Sequence, residues 1–202
     1  MRLGIFGGSF DPVHYGHLLL AECCREQGRL DRVLFVPAAS PPHKQDHRLS
    51  PAEARVQMLR LATGGHEAFE VSTVEIDRGG VSYTVDTLTA LSEQQPEDAL
   101  FFLLGSDSLH DLPHWREPGR ICQLATPLVV QRPGEDAPDV SVLAPFLSPE
   151  RLNEIREHRI DMPAMGISAS DIRAQVAAGR SIRYRTPRAI EKYIQEQGLY
   201  RE

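Results

Sequence analysis

The segment that most constrains this chain is the stretch of eleven residues at 7–17, which carries two glycines followed by two histidines. It follows an apolar run at residues 3–6 that predicts a strand, and it precedes an apolar run at 18–21 that predicts a helix. A glycine-containing turn at a helix N-terminus presents backbone N–H groups to an anion. His14 and His17 are three positions apart, and such residues share one face of a helix. The stretch therefore predicts an anion-binding cradle with two imidazole rings.

The rest of the chain alternates strand patterns with helix patterns. Predicted strands occupy residues 32–36, 69–76, 100–104, 127–131 and 160–165. Predicted helices occupy residues 15–27, 50–63, 83–93, 148–158, 168–178 and 187–197. A broken helical region is predicted over residues 108–125. Ser50 is the predicted cap of the second helix, with Pro51 and Glu53 completing the signal. This alternation predicts an α/β fold with a Rossmann-like, doubly wound, mostly parallel sheet. We expect one domain over residues 1–202, of which about 166–202 form a C-terminal helical part.

Ligands of such sheets bind beyond the carboxyl ends of the strands. The loops that follow four of the predicted strands, at 7–17, 37–49, 105–115 and 166–173, are therefore expected to converge. The 37–49 segment has three prolines and no hydrophobic period, as is typical of a functional loop.

The composition excludes several classes of protein. The net charge of −6 argues weakly against a general nucleic-acid binder but permits a small phosphorylated ligand in a locally cationic cleft. No apolar run approaches the ~20 residues of a membrane span, and no signal-peptide pattern precedes the first strand, so we expect a cytoplasmic protein without a membrane partner. The three cysteines, two of them adjacent at 23 and 24, do not form a disulfide framework.

Two common phosphate-binding motifs are absent from the sequence. No GxxxxGK[ST] motif occurs, which excludes a P-loop NTPase, and no GxGxxG follows the first strand, which disfavours a dinucleotide-dependent dehydrogenase.

The stretch GGSFDPVHYGH at 7–17 resembles the (T/H)xGH-type signature of nucleotidylyltransferases. Four later segments also match, in order: PPHK at 41–44, SYTVDTL at 82–88, GSDSL at 105–109 with Trp115, and ISASDIR at 167–173. Together they resemble the bacterial nicotinate-nucleotide adenylyltransferase family over nearly the whole chain. The departures are small: Ser170 stands where the family often has threonine, and Val81 where it often has proline.

This resemblance implies transfer of AMP from ATP to nicotinate mononucleotide, giving nicotinate adenine dinucleotide and pyrophosphate, with Mg²⁺ bound mainly through the ATP phosphates. The attacking group is a phosphate monoester with a second pKa of about 6, so it is mostly ionised at pH 7 and needs no general base. The enzyme aligns it for direct in-line attack and neutralises charge on the leaving pyrophosphate. The expected partners are ATP and nicotinate mononucleotide, without nucleic acid, and the sequence leaves the oligomeric state undecided.

The resemblance also implies roles for individual residues. The expected catalytic residues are His14, His17, Lys44 and Arg173. The expected ATP contacts are Gly7, Gly8, Ser9, Phe10, His14, His17, Gly105, Asp107, Ile167, Ser168 and Arg173. The expected mononucleotide contacts are Ser9, Lys44, Tyr83, Thr84, Trp115, Arg116 and Arg132. Trp115 would stack on the pyridine ring, and Thr84 with nearby backbone N–H groups would recognise the nicotinate carboxylate. No protein-held metal site is expected.

The residues by themselves leave alternatives open. The two histidines are equally consistent with surface or capping residues, and a zinc site lacks a recognisable third ligand. Asp11 forms an Asx turn or contacts a ligand, and Asp107 binds a ribose or the metal. Trp115 could instead anchor the core.

Three other functions also compete. The chain could be an adenylyltransferase for nicotinamide mononucleotide or for phosphopantetheine, or a non-catalytic nucleotide sensor on the same fold.

Overall fold

The computed structural model describes residues 1–42, 49–131, 134 and 137–201. Within these residues the strands are β1 (Arg2–Gly8), β2 (Arg32–Pro37), β3 (Phe69–Val71), β4 (Ala99–Gly105), β5 (Thr126–Gln131) and β6 (Arg159–Asp161). The α-helices are α1 (Tyr15–Gln27), α2 (Ala52–Thr63), α3 (Val74–Arg78), α4 (Thr84–Gln94), α5 (Ser106–Asp111), α6 (Pro118–Leu124), α7 (Pro149–Glu157), α8 (Ala169–Ala177) and α9 (Arg188–Gln197). Short 3-10 turns occupy Leu112–His114 and Val140–Leu143.

The six strands form one parallel sheet in the order β3-β2-β1-β4-β5-β6. β1 lies in the middle and pairs with both β2 and β4, so the strand order reverses there. A crevice for ligands opens at such a reversal, beyond the carboxyl ends of the strands. The predicted doubly wound α/β fold is confirmed.

Alternating side chains of the strands build two apolar layers, one on each face of the sheet. Phe6 and Phe101 point into the layer that α1, α2, α8 and α9 cover. Their chain neighbours Ile5 and Phe102 point to the opposite face, into the layer that α4, α6 and α7 cover. Burial on both faces explains why the strands read as continuous apolar runs. No helix among the described residues is long and apolar enough to cross a membrane.

Several predicted helix ends agree with the structure. α1 has the predicted bounds and ends at Gly28. The Oγ atom of Ser168 caps α8 by accepting a hydrogen bond from the Asp171 N–H at 3.1 Å. Gly198 ends α9 with φ +65, a left-handed conformation that glycine adopts without strain.

The prediction of a strand over residues 69–76 is wrong beyond Val71. The last ladder bond of β3 runs from the Ser72 N–H to the Phe35 carbonyl, at 3.0 Å. The next donor in register would be Pro37, which has no N–H, so the ladder ends and the chain turns into α3. The predicted strand at 160–165 is also too long, because β6 ends at Asp161 and the last bond to β5 runs from the Met162 N–H to the Gln131 carbonyl at 3.2 Å.

The predicted capping role of Ser50 is wrong. Pro51 occupies the cap position of α2 and makes no side-chain cap hydrogen bond. Ser50 is held by other partners, because its N–H donates to Asp11 Oδ2 at 3.1 Å and its carbonyl accepts from Arg55 Nε at 3.0 Å.

Candidate functional site

Two cavities open beyond the carboxyl edge of the sheet. The first, here called the histidine cavity, has a volume of about 330 Å³. It is lined by Ser9, His14, Gly16, His17, Leu20, Met162, Met165, Ile167, Ser168, Ala169, Ser170 and Arg173. The second, here called the aromatic cavity, has a volume of about 230 Å³. It is lined by Gly7, Gly8, Ser9, Ala38, Pro41, Pro42, Glu75, Ser82, Tyr83, Thr84, Phe102, His114, Trp115, Arg116 and Ile121. Ser9 lines both cavities, so they meet at the turn after β1.

The two histidine rings stack at the start of α1, with centroids 3.7 Å apart and an interplanar angle of 22°. The His14 N–H donates to His17 Nδ1 at 3.3 Å, so Nε2 carries the proton of a neutral His17 ring. His14 is only 6% exposed, and its Nδ1 has no hydrogen-bond partner within the described residues. Burial lowers the pKa of His14 to about 4. The His14 ring is therefore neutral near pH 7.

Two glycines in the turn differ in what surrounds the position of a Cβ atom. A Cβ on Gly16 would lie 3.0 Å from His14 Nδ1, so any other residue there would crowd the imidazole. A Cβ on Gly7 would meet no atom of the described residues within 4 Å, apart from its own chain neighbours. The protein thus leaves room at Gly7, in the wall of the aromatic cavity, which suits close approach of a ligand to the backbone.

The N-terminus of α8 forms the opposite wall of the histidine cavity. Ser168 caps this helix, and its Oγ lies 3.0 Å from Ser170 Oγ. Arg173, one turn further, donates from Nη1 to the Asp11 carbonyl at 2.7 Å. A helix N-terminus, hydroxyls, imidazoles and a guanidinium are all groups that bind phosphate. The structure thus brings the predicted ATP contacts Ser9, His14, His17, Ile167, Ser168 and Arg173 into one cavity.

The aromatic cavity differs in chemistry. Trp115 is half-buried against the edge of Phe102, with centroids 5.8 Å apart, and its Nε1 is buried without a partner in the described part of the chain. Thr84 is the first residue of α4, and within that first turn the Asp86 N–H donates to the Tyr83 carbonyl at 3.1 Å. Ser82 Oγ accepts from the Ala39 N–H at 2.8 Å and so joins the loop after β2 to the start of α4.

Gly7 and Gly8 are predicted to contact ATP but line the aromatic cavity. Four further predicted contacts also sit differently from the rest. The Phe10 side chain is fully buried and packs edge-on against Phe6 at 5.3 Å, so only its backbone faces the turn. Gly105 and Asp107 line neither cavity. Arg116 lines the aromatic cavity but is exposed, and its Nη1 pairs with Asp86 Oδ2 at 3.3 Å.

The predicted contacts Lys44 and Arg132 lie outside the described residues. Among the described residues, no group of three or more His, Cys, Asp or Glu side chains is arranged to hold a metal ion.

Sequence reasoning missed Glu75, which is 6% exposed and lines the aromatic cavity. Its Oε1 accepts from Thr87 Oγ1 at 2.7 Å, and the same Oγ1 accepts from Arg78 Nη2 at 3.1 Å. The only signal was an acidic residue inside an apolar segment read as a strand. Asp11, whose role the sequence left open, is buried with both carboxylate oxygens bonded to protein groups.

Comparison with known proteins identifies this arrangement. The profile of the cytidylyltransferase-like family matches residues 5–175, and the chain belongs to that family. A probable nicotinate-nucleotide adenylyltransferase of Roseiflexus sp. is 50% identical and one of Thermus thermophilus is 47% identical, with 98–100% of each chain covered in both cases. Within the wider class, the chain is thus a member of the nicotinate-nucleotide adenylyltransferase family.

A solved structure supports the fold. The nicotinic acid mononucleotide adenylyltransferase of Plasmodium falciparum, complexed with NaAD, superposes with a TM-score of 0.75 over 98% of this chain and 97% of that one. At 19% identity, the likeness concerns the fold alone.

Proposed function

We propose that this protein transfers the adenylyl group of ATP to nicotinate mononucleotide, forming nicotinate adenine dinucleotide and pyrophosphate. One observation carries the proposal: a phosphate-binding cavity and an aromatic cavity meet at Ser9. Two substrates held in these cavities have their reacting phosphates side by side at the turn after β1. The names of relatives 47–50% identical over the whole chain support the same reaction.

In this proposal the histidine cavity holds the triphosphate. The His17 Nε2–H, the Arg173 guanidinium and the N-terminus of α8 contact its oxygens, and neutral His14 adds a hydrogen bond. A phosphate oxygen of the mononucleotide attacks the α-phosphorus of ATP, the bond from that phosphorus to the bridging oxygen breaks, and pyrophosphate leaves with the electron pair. The attacking oxygen is already ionised, so the protein contributes alignment and charge stabilisation.

We propose that Mg²⁺ binds together with ATP. The groups lining the histidine cavity are nitrogen and hydroxyl donors, which suit phosphate better than a hard cation. The ion, when bound, would neutralise phosphate charge, and the triphosphate oxygens and water would hold it. Asp107, exposed on α5, remains a predicted contact of a ribose or of the metal.

The aromatic cavity takes the pyridine mononucleotide. Trp115 offers its ring face to the pyridine ring, with Tyr83 and Arg116 beside it. Thr84 and the N-terminus of α4 favour a carboxylate, since a helix N-terminus presents N–H groups and the positive end of the helix dipole. An amide would place a donor against these donors. Lys44 and Arg132 remain predicted contacts of the mononucleotide, and Gly105 of ATP.

The remaining expectations from the sequence also stand as proposals. These are a single domain over residues 1–202, a cytoplasmic location and the absence of nucleic-acid partners.

Pyrophosphate release measures the activity directly. The protein is mixed with ATP, Mg²⁺ and, in parallel, nicotinate mononucleotide, nicotinamide mononucleotide or phosphopantetheine. We expect turnover with the acid at a kcat/KM at least about tenfold above that with the amide, since one mismatched hydrogen bond to a charged group is worth about that factor. Thr84→Val is the matched variant and should reduce the preference while leaving turnover of the amide unchanged. Turnover with the amide above the acid would reverse the substrate assignment, and no turnover with any acceptor would support a nucleotide sensor.

A further inference from the structure

A buried polar cluster lies directly beneath the turn that joins the two cavities. Its centre is Asp11, which is 2% exposed. Asp11 Oδ1 accepts a hydrogen bond from the Tyr200 hydroxyl at 2.5 Å, and Oδ2 accepts from the Ser50 N–H at 3.1 Å. Three segments distant in sequence thus meet on one carboxylate: the turn after β1, the segment that leads into α2 and the residues after α9.

Arg55 completes this buried polar cluster from α2. It is 1% exposed, although the other buried residues of this helix, apart from Thr63, are apolar. Its Nη1 donates to the Ser9 carbonyl and its Nε to the Ser50 carbonyl, each at 3.0 Å. Burial lowers the pKa of Arg55, and the neighbouring Asp11 charge opposes that shift. Ser9, the residue shared by both cavities, is therefore held from below by a guanidinium.

The cluster also reaches the histidine cavity. The backbone carbonyl of Asp11 accepts from Arg173 Nη1 at 2.7 Å, so the position of Asp11 sets the position of a predicted phosphate-binding side chain. Burial, and to a smaller extent the Asp11 charge, raises the pKa of Tyr200. Its phenol therefore stays protonated and donates the hydrogen bond to Asp11. A displacement of the Asp11 carboxylate would reach both Ser9 and Arg173.

We propose that Tyr200, Asp11 and Arg55 position Ser9 and Arg173 for adenylyl transfer, with Tyr200 as the group that fixes the Asp11 carboxylate. The proposal rests on the proposed function, because it assigns these residues to alignment in that reaction. Hydrogen bonds among buried groups are directional, and they select one arrangement of the turn where apolar packing alone would permit several. Alignment is also the main contribution expected of this enzyme, so small displacements lower the rate.

Tyr200→Phe tests the proposal, since it removes the hydroxyl and keeps the ring. We expect kcat per folded molecule to fall about five- to tenfold, with KM for ATP and for nicotinate mononucleotide within about twofold of the wild-type values. Tyr193→Phe is the matched control: Tyr193 is a half-buried tyrosine on α9 that packs against the same apolar layer and is outside the cluster. Its kcat should equal that of the wild type.

A merely structural role would lower the melting temperature of Tyr200→Phe and leave kcat per folded molecule unchanged at a temperature well below unfolding; that result would overturn the proposal. Equal losses of kcat in Tyr193→Phe and Tyr200→Phe would overturn it too. Asp11→Asn provides a second variant, because its amide has one acceptor oxygen where the carboxylate has two, and it carries no charge to face Arg55. It should lower kcat at least as much as Tyr200→Phe does. If the wild type itself shows no turnover, the proposed function fails, which is distinct from a failure of the cluster.

Discussion

The histidine cavity and the aromatic cavity share Ser9 but are built in different ways. The first is made mainly from two continuous segments, at 9–20 and 162–173, whose polar atoms are imidazole, hydroxyl and guanidinium groups. The second draws short groups of residues from many parts of the chain and presents mostly apolar and aromatic surface. The cavities also face different apolar layers, since Met162 belongs to one layer and Phe102 to the other.

This difference separates two tasks of a transferase. Phosphate recognition uses backbone N–H groups and donors at helix N-termini, and these must be close in sequence to share one helix end. Recognition of an aromatic acceptor needs a pocket of suitable shape, which distant residues can supply. We therefore expect substitutions in the histidine cavity to act mainly on kcat, and substitutions in the aromatic cavity to act mainly on KM for the acceptor.

His17→Ala gives the largest expected effect and tests the first half of this comparison. Loss of one donor to a charge that develops in the transition state typically lowers kcat by about 10²–10³-fold. We expect that loss with KM for nicotinate mononucleotide little changed, measured by pyrophosphate release under saturating ATP. His66→Ala is the control, because His66 stacks on Phe69 outside both cavities. Near-normal kcat in His17→Ala would remove this residue from the reaction.

The fold could be predicted well because its signals are local. Continuous apolar runs mark strands buried on both faces, and Ser168, Gly28 and Gly198 mark helix ends by their own side-chain or backbone properties. The errors occurred where a tertiary partner decided the outcome. β3 ends because Pro37 on another strand cannot donate, and Ser50 does not cap α2 because Asp11 and Arg55 engage its backbone.

The candidate site shows the same limit. His14 and His17 could be found from their spacing, but the low pKa of His14 follows from burial, which no spacing reveals. Glu75 faces the aromatic cavity only because the chain turns into α3 where a strand was expected. Tyr200 reaches Asp11 across nearly the whole length of the chain, and only the packing of α9 against α2 brings the two together.

The pH dependence of stability sharpens the description of the histidine cavity. His14 has a pKa of about 4 in the folded protein, against 6.5 for a free histidine. Below pH 6.5 the His14 side chain binds a proton in the unfolded chain but not in the folded protein. The free energy of unfolding is therefore highest above pH 6.5, as far as His14 is concerned, and it falls as the pH drops towards 4. Between pH 7 and pH 5 the free energy of unfolding should fall by about 2 kcal/mol on account of His14.

Urea unfolding of the wild type and of His14→Asn at the two pH values isolates this contribution. The other titrating groups are shared, so the wild type should lose about 2 kcal/mol more than the variant between pH 7 and pH 5. Equal losses in the two proteins would mean that the pKa of His14 is the same in the folded and the unfolded chain, and the cavity would then hold a cation at pH 5 where we place a neutral ring.

Trp115→Ala tests the aromatic side, with the smallest expected effect. Loss of the ring removes stacking worth about 1.4 kcal/mol, so KM for nicotinate mononucleotide should rise about tenfold while kcat and KM for ATP stay near the wild-type values. Initial rates with each substrate varied in turn give the three constants. Trp115→Phe keeps an aromatic face against Phe102 and should recover most of the affinity. An unchanged KM for nicotinate mononucleotide, or a variant that fails to fold, would show that Trp115 serves the core. An equal rise in KM for ATP would mean that the two cavities do not divide the substrates as proposed.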